Sequence, residues 1–115
     1  MEIAKIIKPS FSTADADYPN ICQFEDDLLV VFTDWREIEV KIRFVNVIAF
    51  KWQMTESYID GEEYDGCHEI VNSIWLAENY KQGTIGKSEA FKHYKFNFNA
   101  CGQLEVLASE FKTET

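Results

Sequence analysis

Glu37-Ile38-Glu39-Val40-Lys41-Ile42-Arg43-Phe44 alternates charged and apolar side chains without a break. In an extended chain successive side chains point to opposite faces, so this stretch predicts a strand with one wet and one dry side. The apolar pattern runs on through Val45-Asn46-Val47-Ile48-Ala49-Phe50-Lys51-Trp52. Together the two stretches exceed the length of an ordinary strand, and Val45 breaks the alternation, so a bulge or bend is expected near Phe44–Asn46.

Upstream, the apolar runs Ile21–Glu25 and Leu28–Thr33 flank Asp26-Asp27 and read as a hairpin. Asp34-Trp35-Arg36 turns the chain into the long strand. Ile3, Ile6 and Ile7 suggest a short first strand, and 9–19, bounded by Pro9 and Pro19, reads as a loop. Downstream, Tyr94, Phe96 and Phe98 alternate with Lys95 and Asn97. Asn99-Ala100-Cys101-Gly102 supplies a turn, and 104–111 returns with Leu104, Val106 and Ala108 on one face. Between these blocks one helix is expected, with Ser73 as N-cap and Gly83 just past its end. Trp75 and Leu76 would anchor it, Ile74, Ala77 and Lys81 would share a side, and a second short turn would begin at Ser88.

The fold class is therefore mainly β: an antiparallel curved sheet or sandwich of about six strands with one short helix, with α+β as the alternative. The chain of 115 residues makes one domain, 1–115, and 46% apolar content suffices for a core without disulfide or metal. Aromatics at 15% favour sheet, since these side chains fit a half-buried pleated surface.

The net charge of −9 is unevenly spread. Residues 1–51 hold nine acids and six bases, a net of −3, and residues 81–115 hold four acids and five bases, a net of +1. Residues 52–80 hold Glu56, Asp60, Glu62, Glu63, Asp65, Glu69 and Glu78 and neither Lys nor Arg. Direct nucleic-acid binding and an anionic membrane surface are disfavoured, because both need basic counter-charge. A basic protein partner suits the block, although solubility alone also accounts for it. The acidic block 52–80, which contains the loop 54–67, includes Tyr58, Tyr64 and Trp75, residue types common among interface anchors. The expected partner-binding residues are Glu56, Tyr58, Asp60, Glu62, Glu63, Tyr64, Asp65 and Glu69. Neutralising Glu62, Glu63 and Asp65 together is expected to slow association and leave folding stability unchanged or slightly higher.

Cys22, Cys67 and Cys101 are odd in number and widely spaced, which predicts reduced thiols rather than a disulfide scaffold. With no basic–apolar leader at 1–5 and no long apolar run, the expected location is the cytoplasm. A zinc site could draw on Cys22, Cys67, His68, His93 and Cys101, but no close ligand pair exists, and adjacent Cys67 and His68 would point to opposite faces. A Cys–His nucleophile would need Cys67 or Cys101 to meet His68 or His93, and no flanking sequence resembles a thiol-activating motif. Asp60-Gly61-Glu62-Glu63-Tyr64-Asp65-Gly66 lacks EF-hand spacing, and its carboxylates sit in a Gly-flanked loop ill-suited to glycoside cleavage. Gly83 and Gly86 form no phosphate loop, and 93–98 reads as a core stripe rather than an RNA-binding one. No catalytic residue, metal or cofactor is expected.

Phe50-Lys51-Trp52, the acidic loop, Glu69-Ile70-Val71-Asn72-Ser73-Ile74-Trp75-Leu76, and His93-Tyr94-Lys95-Phe96-Asn97-Phe98-Asn99-Ala100-Cys101-Gly102-Gln103-Leu104-Glu105-Val106-Leu107 follow one another in an order that resembles small bacterial immunity proteins of polymorphic or contact-dependent toxin systems. The resemblance covers about the C-terminal two-thirds. It implies a cytoplasmic, non-enzymatic protein that binds and blocks one toxin domain, often a basic nuclease. It assigns no contact residues. The alternative from another class is a small-ligand-binding or enzymatic β-domain with its cavity inside a curved sheet.

Overall fold

The computed structural model describes residues 1–54, 57–83, 86 and 90–114. Among these residues nine strands and one helix follow in the order β1 (Ile3–Ile7), β2 (Asn20–Phe24), β3 (Asp27–Thr33), β4 (Glu39–Val45), β5 (Ala49–Gln53), β6 (Cys67–Val71), α1 (Ile74–Lys81), β7 (Lys92–Phe98), β8 (Gly102–Ala108) and β9 (Glu110–Glu114). They form a five-stranded sheet, β1-β6-β7-β8-β5, and a four-stranded sheet, β2-β3-β4-β9. Every pairing is antiparallel. The chain is mainly β, a sandwich with one short helix.

The strand number exceeds the expected six for a physical reason. The long apolar run 39–53 bends where expected, with Asn46 at φ 53°, and its halves enter different sheets as β4 and β5. The return run after the C-terminal turn also divides, at Ser109, into β8 and β9. These two corners lie together. Ser109 donates both its backbone N–H and its Oγ hydroxyl to the Val45 carbonyl at 3.0 Å, and Ile48 N–H donates to the Leu107 carbonyl at 3.0 Å. The remaining addition, β6, has no apolar–polar alternation, since Cys67 on one face and His68 and Ile70 on the other are all buried.

Phenylalanines fill the space between the sheets. Phe32 meets Phe98 edge-on at 5.1 Å, and Phe44 meets Phe96 at 5.2 Å. Phe111 of β9 packs on Tyr94 and Phe96, and Phe11, from the loop before β2, closes that side against Phe96 and Phe111. Leu28, Val30, Ile42, Leu104 and Val106 complete this core, all without solvent exposure. Each wholly buried large side chain contributes roughly 1.5–3 kcal/mol. Among the described residues, packed side chains thus fill the space between the sheets.

The helix forms as its caps predict. Ser73 Oγ accepts from Leu76 N–H at 3.0 Å, Gln82 ends the helix, and Gly83 follows at φ 77°. Trp75 and Leu76 face the five-stranded sheet, while Ile74 points to solvent. The turn expected at Ser88 lies outside the described residues. Among the described residues, no helix is long and apolar enough to cross a membrane.

Candidate binding surface

Both central strands of the five-stranded sheet, β7 and β8, are buried on both faces. One face meets the Phe core. The other carries His93, Lys95, Asn97, Gln103 and Glu105, and over it lie α1 and the acidic loop 57–66. Strand pleat places these side chains together on that face, but nothing in their own pattern says that they are covered.

The loop is rooted by Glu62. Its side chain has no exposure and lies 2.9 Å from Lys95 Nζ, itself almost wholly buried. The same carboxylate accepts from Asn97 Nδ2 at 2.8 Å and from Ile59 N–H at 2.8 Å. Lys95 Nζ also donates to the Ser57 carbonyl at 2.6 Å, and Gln103 Oε1 accepts from Ser57 N–H at 2.9 Å. His68, on β6, accepts at Nε2 from Glu63 N–H at 2.8 Å while its Nδ1 faces the Lys95 carbonyl at 3.2 Å. That pairing puts the ring proton on Nδ1. Ala4 N–H donates to the Asp60 carbonyl at 2.9 Å. This approach requires Gly61, whose φ is +86° and whose absent Cβ would stand 2.5 Å from the Ala4 carbonyl oxygen.

Beside the loop, a second chain of polar contacts ties α1 to the sheet. Ser73 Oγ lies 2.6 Å from His93 Nδ1, and His93 Nε2 lies 2.8 Å from Glu105. Trp75 stands edge-on to the His93 ring at 5.3 Å, and Lys51 Nζ sits 4.5 Å above the Trp75 ring. Burial pushes the Glu105 carboxyl up, but the His93 hydrogen bond and the Lys51 charge outweigh it and hold the group below its ordinary value. Serine, histidine and carboxylate in a row are the groups of a hydrolytic triad, yet the serine oxygen is already committed as the helix cap. A groove of about 410 Å³ between helix and loop has His93, Lys95 and Glu105 in its lining, and these groups are bonded to one another or to the loop.

The expected partner residues divide. Tyr58, Asp60 and Tyr64 are exposed on the outward side of the loop, and Glu63 and Asp65 are partly exposed beside them. Glu62 points the other way, into the sheet, so treating it as exchangeable with Glu63 and Asp65 is incorrect: a carboxylate with one lysine and three amide or backbone donors holds the loop in place. Glu69 lies on the opposite face of its strand, paired across from Tyr94 on the core side. Glu56 lies outside the described residues. Sequence reasoning weighed His68 and His93 only as metal ligands or as the base of a nucleophile, and missed Lys95, Asn97, Gln103 and Glu105. One signal could have found them: a lysine and two amides at the polar positions of adjacent strands, opposite a loop with acids and no base.

Cys67 faces the core beside Thr13, and burial pushes its thiol up to about 12. His68, next in sequence, faces the loop, as strand alternation requires. Cys101 is also raised, by burial and by nearby Asp17. In both, burial disfavours the thiolate, the form that attacks as a nucleophile. Among the described residues no three or more His, Cys, Asp or Glu side chains converge as metal ligands. In comparison with known proteins, the chain matches no protein-family model, no curated protein and no solved structure.

Proposed function

We propose that this chain is a protein-binding module that presents its acidic loop to a basic partner, and that the partner is a bacterial toxin domain whose activity it blocks in the cytoplasm. The observation that carries the reading is the mounting of the loop. A segment rich in acids is held by the buried Glu62–Lys95 pair while Tyr58, Asp60 and Tyr64 face outward. Burying two charges is costly even when they pair, and its best-supported use is to fix one conformation. A loop fixed before binding loses little conformational entropy on binding, which favours tight association. The order of segments resembling immunity proteins adds the toxin; charge adds its sign.

Co-expression with the toxin domain encoded beside this gene tests the reading. Restored growth of cells making that toxin, with a stable complex of the two purified proteins, is the expected result. Unrelieved toxicity and no complex with any neighbouring product would refute the inhibitor role.

A further inference from the structure

The sandwich has two ends, and one is built from cross-tied loops. Asp17 N–H donates to the Thr33 carbonyl at 3.0 Å, which sets segment 15–18 beside the 34–38 turn between β3 and β4. Asp15 and Asn99 exchange two hydrogen bonds, from Asp15 N–H at 2.8 Å and from Asn99 Nδ2 at 3.0 Å, tying the same segment to the β7–β8 turn. Cys101 Sγ donates to the Ala16 carbonyl at 3.4 Å. Within the 34–38 turn, buried Asp34 accepts from the backbone N–H groups of Arg36 and Ile38 and clasps the Arg36 guanidinium at 2.8 Å.

These ties hold large apolar side chains in water. Tyr18 is 66% exposed, Trp35 61%, Ile38 50% and Met54 68%. Tyr18 and Met54 flank a recess of about 420 Å³ completed by the β7–β8 turn. Among them stand the exposed acids Asp17 and Glu37, while the base of the turn, Arg36, is already neutralised by Asp34. Trp and Tyr are the side chains that most often dominate binding energy at protein interfaces, and loops gathered at one end of a sandwich are a recurrent site for them.

We propose that this loop end is the main docking surface for a basic protein: Trp35, Tyr18, Ile38 and Met54 supply contact area, and Asp17 and Glu37 receive Lys or Arg side chains. The inference rests on the basic-partner reading above but moves the energetic centre away from the acidic loop on the sheet face. Charge selects the occupant. A second copy of this chain, at −9, would repel, and an apolar partner would leave the acids desolvated and unpaired.

Photo-crosslinking in the native host tests it. The full chain carries p-benzoylphenylalanine in place of Tyr18, Trp35, Tyr58 or, at the opposite end, exposed Phe24. The expected result is one adduct at positions 18 and 35, absent at 24, whose protein component is identified and basic. That protein, purified, should then bind the Trp35→Ala/Tyr18→Ala variant at least about tenfold more weakly than wild type, with the variant's circular dichroism unchanged. Asp17→Asn/Glu37→Gln should flatten the salt dependence of the association rate. A basic partner captured only at position 58 would overturn the loop-end surface and leave the basic-partner reading standing. An acidic partner, or no adduct at any position, would overturn both.

Discussion

The outward face of the five-stranded sheet is roofed, and that of the four-stranded sheet is bare. Under the roof, Lys95 meets Glu62 with both side chains out of water. On the bare face, Arg43 of β4 reaches Asp27 at 3.1 Å and Glu114 on either side, and all three remain partly exposed. The residue chemistry is alike: a basic side chain at a polar position of a central strand, facing acids. Only the cover differs. Water screens the Arg43 pairs, so each partner loses little when the other is removed. Lys95 is almost wholly buried, so losing its partner costs it far more.

That contrast is testable by removing single partners. Glu62→Gln should cost about 3–5 kcal/mol, because it strands a buried ammonium. The denaturant midpoint measures it, and a loss under about 1 kcal/mol would mean that water reaches Lys95 and that the two faces are equivalent. Replacing both members, as Glu62→Leu/Lys95→Met, should recover most of that loss while releasing the loop, seen as faster amide exchange at 57–66. Ser73→Ala should cost about 1–2 kcal/mol, since it removes a helix cap and the Nδ1 partner of buried His93.

A pH series sharpens the same comparison. Glu105 titrates lower in the folded chain than its ordinary 4.5. A depressed carboxyl contributes stability that is complete above the unfolded value and is lost as pH falls through the folded one. Wild type should therefore lose stability from about pH 4.5 downward, and Glu105→Gln should show a shallower acid limb over that range. Superimposed limbs would show that the His93–Glu105 contact contributes nothing. The smallest effect belongs to the bare face. Arg43→Gln should shift the midpoint less than any change above, with the shift shrinking further in high salt, and a shift as large as that of Ser73→Ala would place Arg43 in the roofed class.

Much of the sandwich was legible because its signals are local. Val40 to Phe44 alternates, Ser73 and Gly83 bracket the helix, and turns sit between apolar runs near Asp26 and at 99–101, although Asp27, expected in the turn, opens β3, and Ile38, expected on the dry face, lies exposed before β4. The roof was not legible, because it depends on which segment lies over a strand. Lys95 and Asn97 alternate with Tyr94, Phe96 and Phe98 as solvent-facing residues would, and the 57–66 segment lying over them makes them interior. The acidic loop was found by composition, but composition cannot tell an acid that faces outward, Asp60, from one that faces in, Glu62. The loop-end residues Tyr18, Trp35 and Met54 lie far apart in sequence and come together through the Asp17–Thr33, Asp15–Asn99 and Cys101–Ala16 contacts and the pairing of β5 with β8.

The tied corners at Val45 and Ser109 have a kinetic consequence. β4 finds β9 across some 70 residues, β1 finds β6 across more than 60, and β5 finds β8 across more than 50. Closing such long loops is slow, and chains dominated by distant pairings fold in milliseconds to seconds rather than microseconds. Until β9 docks, Val40, Ile42 and Phe44 belong to a strand with one open edge, the template on which a second unfinished chain could add. The Ser109–Val45 hydrogen bonds form at the very step that seals it, so weakening them should raise aggregation during refolding more than it lowers the stability of the finished fold.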